Sequence, residues 1–87
     1  MRTPRQYIIV RAIIRALGQC GSYLCPETAL LESVELMVTA PPLTPSEFDA
    51  ALRDVAAERL VIDGEGPIGR TWKITEAGRV WAKEHRA

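Results

Sequence analysis

Apolar residues in the first twenty positions recur at helical spacing. Tyr7, Ile9, Val10, Ile13, Ile14 and Leu17 fill one broad arc of a 3.6-residue wheel, while Arg5, Arg11 and Arg15 fall outside it. Thr3-Pro4-Arg5-Gln6 supplies the start: Thr3 can accept from an orphan amide, Pro4 suits the first helical position, and Gln6 completes a capping box. Ile8 stands on the polar side beside Arg11 and Arg15, either as a lone exposed apolar residue or as part of a partner surface. Gly18 and Gly21 end this helix, and Ser22 to Cys25 reads as an extended connection, because Pro26 turns the residue before it away from helix.

A second helix is predicted from Pro26 to about Val38, with Leu30, Leu31, Val34, Met37 and Val38 as its buried stripe and Glu27, Glu32 and Glu35 toward water. Glu27 in its first turn also suits the helix dipole. The prolines of Thr39-Ala40-Pro41-Pro42-Leu43 break it. Thr44-Pro45-Ser46-Glu47 repeats the capping box and opens a third helix reaching about Arg59, with Leu43 and Phe48 placed to form a hydrophobic staple. Phe48, Ala51, Leu52, Val55 and Ala56 make its buried face, and Ser46, Asp49, Ala50, Arg53, Asp54 and Ala57 point outward.

The period then changes. Leu60-Val61-Ile62 is short and branched, as a strand is, and residues 63 to 69 are turn chemistry with three glycines able to take positive φ. Arg70 to Ile74 returns as the partner strand, with Trp72 and Ile74 on one face and Thr71 and Lys73 on the other. Thr75 caps a last helix over 76 to 85, with Val80 and Trp81 inward.

Eighty-seven residues make one domain, 1–87, that leaves roughly 35 to 40% of the unfolded chain's surface exposed. Apolar residues are 47% and charged residues 25% of the chain, which argues against disorder. No apolar run approaches the roughly 18 to 20 residues that span a bilayer, and the start lacks a signal-peptide pattern, so an intracellular, cytoplasmic location without a membrane is expected. The net charge is zero, but the charges are sorted. Residues 1 to 22 carry four arginines and no acid, 23 to 69 carry nine acids against Arg53 and Arg59, and 70 to 87 carry five basic residues against Glu76 and Glu84.

Chemistry-bearing motifs are sparse. Cys20 and Cys25 are read as structural thiols, a redox-sensitive pair or half of a metal site; the last would need two more ligands, and the only histidine is the distant His85. No Ser/His/Asp constellation or phosphate-binding glycine loop after a strand is visible, and Gly64-Glu65-Gly66 reads as a turn. Neither enzyme activity, nor a cofactor, nor a metal, nor a small-molecule substrate is expected.

The succession of helices, hairpin and capped helix carries a resemblance. Leu52-Arg53-Asp54-Val55-Ala56-Ala57-Glu58-Arg59-Leu60-Val61 resembles the end of a recognition helix running into the wing of the winged helix-turn-helix superfamily. Trp72-Lys73-Ile74-Thr75-Glu76-Ala77-Gly78-Arg79 is similar to that superfamily's strand-to-helix passage, an apolar residue followed by Thr-Glu-x-Gly. With the helix pair at 4 to 38, the likeness covers nearly the whole chain. It implies an α+β, mostly helical fold: a three-helix core, a two-stranded wing and a C-terminal helix.

It also implies a DNA-binding or transcription-associated module. The helix at 45–59 would enter the major groove of duplex DNA with Thr44, Ser46, Asp49, Ala50 and Arg53 nearest the DNA, and Arg53 suited to a guanine. Arg70 and Lys73 on the wing would reach phosphate or the minor groove, and Arg2 and Arg5 would serve as an arm. The candidate recognition helix holds Glu47, Asp49, Asp54 and Glu58 against Arg53 and Arg59, a net charge near minus two facing a polyanion. Protein interaction or assembly without DNA contact is therefore the alternative. It would take the form of a complex subunit or a homodimer through the first or last helix, with Ile8, Arg11, Arg15 and Trp81 as candidate interface residues, unless the last helix caps the monomer. An apolar surplus such as Ile8 and Ile68 gathered into one patch would favour it.

Overall fold

A computed structural model describes residues 2–21, 23–67 and 69–87; Met1, Ser22 and Ile68 lie outside the described residues. The elements run α1 (Pro4–Cys20), β1 (Cys25–Pro26), α2 (Glu27–Met37), α3 (Pro45–Ala57), β2 (Val61–Gly66), β3 (Gly69–Ile74) and α4 (Glu76–His85). The fold is α+β, with four helices and one three-stranded antiparallel sheet in the order β1-β3-β2.

Local chemistry sets the helix starts. Thr3 and Gln6 form a reciprocal capping box at α1, and Thr44 and Glu47 form another at α3, each with a proline inside the first turn. At α4 the Thr75 hydroxyl accepts from the Gly78 amide at 3.0 Å. Helix α2 begins at Glu27, one residue later than expected, with Pro26 as its N-cap, and no side chain caps that helix.

Helix α1 is central, packing against α2, α3, α4 and β3. Its Ile9, Val10, Ile13, Ile14 and Leu17 meet Leu30 and Val34 of α2, Phe48, Leu52 and Val55 of α3, and Val61, Trp72 and Ile74 of the sheet in one buried cluster. Leu43 and Phe48, the expected staple, both belong to it.

Four expectations are corrected. The sheet has a third strand, because Cys25 and Pro26 pair with Trp72 and Thr71; a proline is tolerated there at the edge of the sheet. Met37, expected in the buried stripe, is 37% exposed, and Leu31 is only half-buried, since α2 covers the core through Leu30, Val34 and the following Val38. Val80, expected inward, is 49% exposed; α4 meets the core through Gly78 with Trp81 and Ala82 at its edge. The turn is shorter than expected, because Asp63, Gly64, Glu65 and Gly66, read as turn, continue β2 and pair with residues 69 to 72 of β3; Thr71, on the face opposite Trp72 as expected, is flanked in register by Pro26 and Gly64 and is buried. Gly64 and Gly66 leave room for it, since a Cβ on them would stand 3.3 Å and 3.2 Å from its side chain.

Candidate nucleic-acid interface

Helix α3 buries Phe48, Ala51, Leu52 and Val55, which leaves Ser46, Asp49, Ala50, Arg53 and Ala57 exposed along its outer side. The cap residue Thr44 is exposed at its start. The Arg53 side chain is 82% exposed, and its guanidinium lies 3.3 Å from Asp49 one turn back. Such an exposed i,i+4 pair is readily exchanged for another partner. Asp54, the next residue along and also expected outward, is engaged elsewhere.

Its partner is Arg2, whose Nε donates to Asp54 at 2.8 Å while its other guanidinium nitrogen donates to Glu58. Arg5 grips Glu47 with two parallel bonds of 2.9 and 3.0 Å and adds a third to the Pro42 carbonyl at 3.1 Å. Arg2 and Arg5, expected as an arm toward DNA, have their guanidinium groups paired to the carboxylates of α3 and its C-cap Glu58. Each of the four acids at 47, 49, 54 and 58 has an arginine partner. The minus two of the helix counted alone becomes zero once Arg2 and Arg5 are included.

Between the start of α1 and α3 these contacts bound a groove of about 720 Å³, with Ile9, Val10 and Ala51 among its lining and Arg2, Arg5 and Glu47 at its polar edge. The sequence signal for these pairs was the sorting of arginines into the first 22 residues and acids into the middle. What was missing was the register between groups 42 to 56 positions apart.

The Arg5 guanidinium, with help from the Thr44 amide, holds the Glu47 carboxyl down at about 2 from an ordinary 4.5, and Glu47 in turn raises Arg5. A carboxyl lowered in the folded state stabilises fully above its unfolded value and loses that contribution as pH falls through the folded one. Wild-type protein is therefore expected to lose stability progressively between pH 4.5 and 2, and Glu47→Gln, which keeps a cap acceptor without the charge, to show a flatter dependence there. Urea midpoints across that window check this, and parallel curves would contradict it.

On the hairpin, Arg70 is exposed with its guanidinium carbon 5.9 Å from the Trp72 ring centre. Lys73 is half-exposed and pairs in register with Ile62. Being three residues apart on one strand, the two cations leave opposite faces of the hairpin.

The candidate interface residues on the other side of the molecule divide. Ile8 is 51% exposed, and with Tyr7, Arg11, Ala12, Arg15 and Met37 it lines a shallow hollow of about 180 Å³. Arg11 is committed within the chain, donating to the His85 and Arg86 carbonyls at 3.1 and 2.6 Å at the end of α4, where a cation suits the helix terminus. Trp81 stacks on His85 at 3.9 Å with Tyr7 beside both. Arg11 and Trp81 thus fasten α4 to α1, while Arg15 is exposed.

Among the described residues no three His, Cys, Asp or Glu side chains gather as a metal site would require, and no helix is long and apolar enough to cross a membrane. No protein-family model matches the chain, and no curated protein or solved structure matches it.

Proposed function

We propose that the chain is a winged-helix module that docks on duplex DNA, with α3 in the major groove and the β2–β3 hairpin as the wing. The observation that carries the reading is the exposed outer side of α3, beside which Glu47, Asp49, Asp54 and the C-cap Glu58 are engaged by three arginines, Arg2 serving both Asp54 and Glu58. The helix can then approach a polyanion without net repulsion. Consistent with it, α3 leads directly into the hairpin, and the strand order β1-β3-β2 puts the returning strand at the centre of the sheet.

In this mechanism Arg53 leaves Asp49 for the O6 and N7 of a guanine, a contact worth about 1 to 3 kcal/mol of discrimination. The opening amides of α3 at Ser46 and Glu47 take a phosphate. Arg70 and Lys73, on opposite faces of the hairpin, reach the phosphates flanking a groove. A neutral α3 face makes few phosphate contacts, so sequence-independent affinity is low and falls only moderately with salt.

Fluorescence anisotropy with a labelled random duplex tests this. With two to three phosphate contacts, raising salt from about 50 to 200 mM is expected to weaken binding by roughly ten- to forty-fold. The triple variant Arg53→Ala/Arg70→Ala/Lys73→Ala should lose binding at the lower salt. Absence of binding by wild type at low salt, or undiminished binding by the variant, contradicts the proposal.

A second reading, docking on a protein partner, is favoured by one observation: Ile8 and Met37 are both exposed and line the same hollow. Its other anticipated contributor, Ile68, lies outside the described residues.

A further inference from the structure

Cys20 is the last residue of α1, and Cys25 opens β1. Between them the chain reverses. Gly21 caps the helix at φ 64, a conformation that suits glycine, and the Tyr23 amide donates back to the Cys20 carbonyl at 3.2 Å. Cys25 is held by the sheet, paired in register with Trp72, and is buried; Cys20 packs on the same core from its edge and is partly open to solvent. Both thiols are free, and both side chains pack on the same core at the two ends of this single reversal.

We propose that Cys20 and Cys25 are a reversible thiol–disulfide site, oxidised by hydroperoxides, that ties the end of α1 to the edge of the sheet. The partly exposed Cys20 is the group that meets the oxidant. Its thiolate attacks one peroxide oxygen, the O–O bond breaks, and Cys20 becomes a sulfenic acid as water or an alcohol leaves. Cys25 then attacks that sulfur, its proton leaving with the hydroxyl as water. In sum two thiols and one hydroperoxide give one disulfide, one water and one water or alcohol, with the peroxide reduced by two electrons. Burial first, and the neighbouring Cys20 second, push the Cys25 thiol up to about 11, and that thiol donates to the Pro26 carbonyl at 3.6 Å, so Cys25 stays protonated and does not react first. The bond would join α1 to the residue opposite Trp72, so the product is read at one fixed corner of the fold. Nothing in the inference depends on what α3 binds.

The test is treatment of the full chain with hydrogen peroxide, followed by intact mass, thiol titration and a non-reducing gel. The expected result is a monomer that has lost two hydrogens, whose titratable thiols fall from two to none and return with dithiothreitol. Cys25→Ser should instead hold a sulfenic acid at Cys20 that dimedone traps, and Cys20→Ser should form no internal bond; circular dichroism of both serine variants establishes that they are folded. Oxidation to sulfinic or sulfonic acid without the two-hydrogen loss overturns the proposal. So do disulfides found only between chains, or trapping at Cys25 instead of Cys20.

Discussion

Replacing Gly78 with alanine is expected to destabilise the protein by about 3 kcal/mol or more, the upper end of what overpacking a core costs. On an open helix surface the same change would stabilise by roughly 1 kcal/mol, because alanine is the better helix former. The sign reverses here because an added Cβ would fall inside the contact distance of the Leu60 carbonyl oxygen and 2.7 Å from Cγ1 of Ile74. That carbonyl has little freedom to retreat. It accepts from the Thr75 amide at 3.0 Å and from the Thr75 hydroxyl at 3.0 Å, and the same hydroxyl caps α4. Any relief therefore comes at the expense of the junction that joins the end of α3, the hairpin and α4. Urea unfolding of Gly78→Ala beside Ala77→Gly, an exposed neighbour, separates the contact from helix propensity. A neutral or stabilising Gly78→Ala would mean that α4 does not approach Leu60 so closely.

Trp72→Ala is expected to cost about 3 to 5 kcal/mol, against a total of roughly 4 to 13 kcal/mol for a chain of this length. Trp72 lies at the middle of the sheet, opposite Cys25 on one side and Asp63 on the other, and it is buried against the core. Its indole nitrogen donates to the Glu27 carboxylate at 2.9 Å, which joins the first turn of α2 to β3. Arg70 leans on the ring from the hairpin side. Removing the ring opens a cavity where all three strands meet and leaves β1, two residues long, with its partner unsupported. Trp72→Phe keeps most of the apolar body and loses the indole donor; since Glu27 is only half-buried and water can take its place, that part is worth about 1 kcal/mol. Unfolding curves of the two variants give the division. Equal losses would place the stabilisation in the hydrogen bond and not in packing.

These positions illustrate what the sequence discloses and what it withholds. The starts of α1 and α3 are legible because a capping box is complete within four residues, and Thr-Pro-x-Gln and Thr-Pro-x-Glu name their partners outright. The β2–β3 hairpin is legible in its order, since its segments are contiguous, but not in its bounds: the glycines at 64 and 66 read as turn, yet residues 63 to 66 are strand paired with β3. Strand β1 is not: two residues have no period, and Cys25-Pro26 becomes a strand only because β3 lies alongside. The wheel places Val80 and Met37 on inward arcs, but it cannot say how far the neighbouring element extends, and both end exposed. Gly78 is visible as part of Thr-Glu-x-Gly, and the reason for it appears only when Leu60 is brought across from the end of α3.

The candidate site divides along the same line. The outward set on α3 follows from the helix period alone. That Arg2 and Arg5 complete the charge of that helix does not, although the sorting of charges along the chain is its trace. Arg2 and Arg5 of the arginine-rich start pair with Glu47, Asp54 and Glu58 of the acidic middle, so local net charge gave a misleading picture of the surface facing outward. Arg11 tells the same story, because its partners are backbone carbonyls at the far end of the chain, which no side-chain pattern can announce.

Duplex DNA as the partner of α3 and the hairpin is tested most directly by following backbone amide shifts of labelled protein as a short random-sequence duplex is added at about 50 mM salt. The prediction is a contiguous set of perturbed amides at Ser46, Glu47, Asp49, Ala50 and Arg53 with Arg70 and Lys73, while Ile8, Arg15 and Met37 stay in place. No change at any amide, or changes confined to the Ile8 and Met37 hollow, would contradict it.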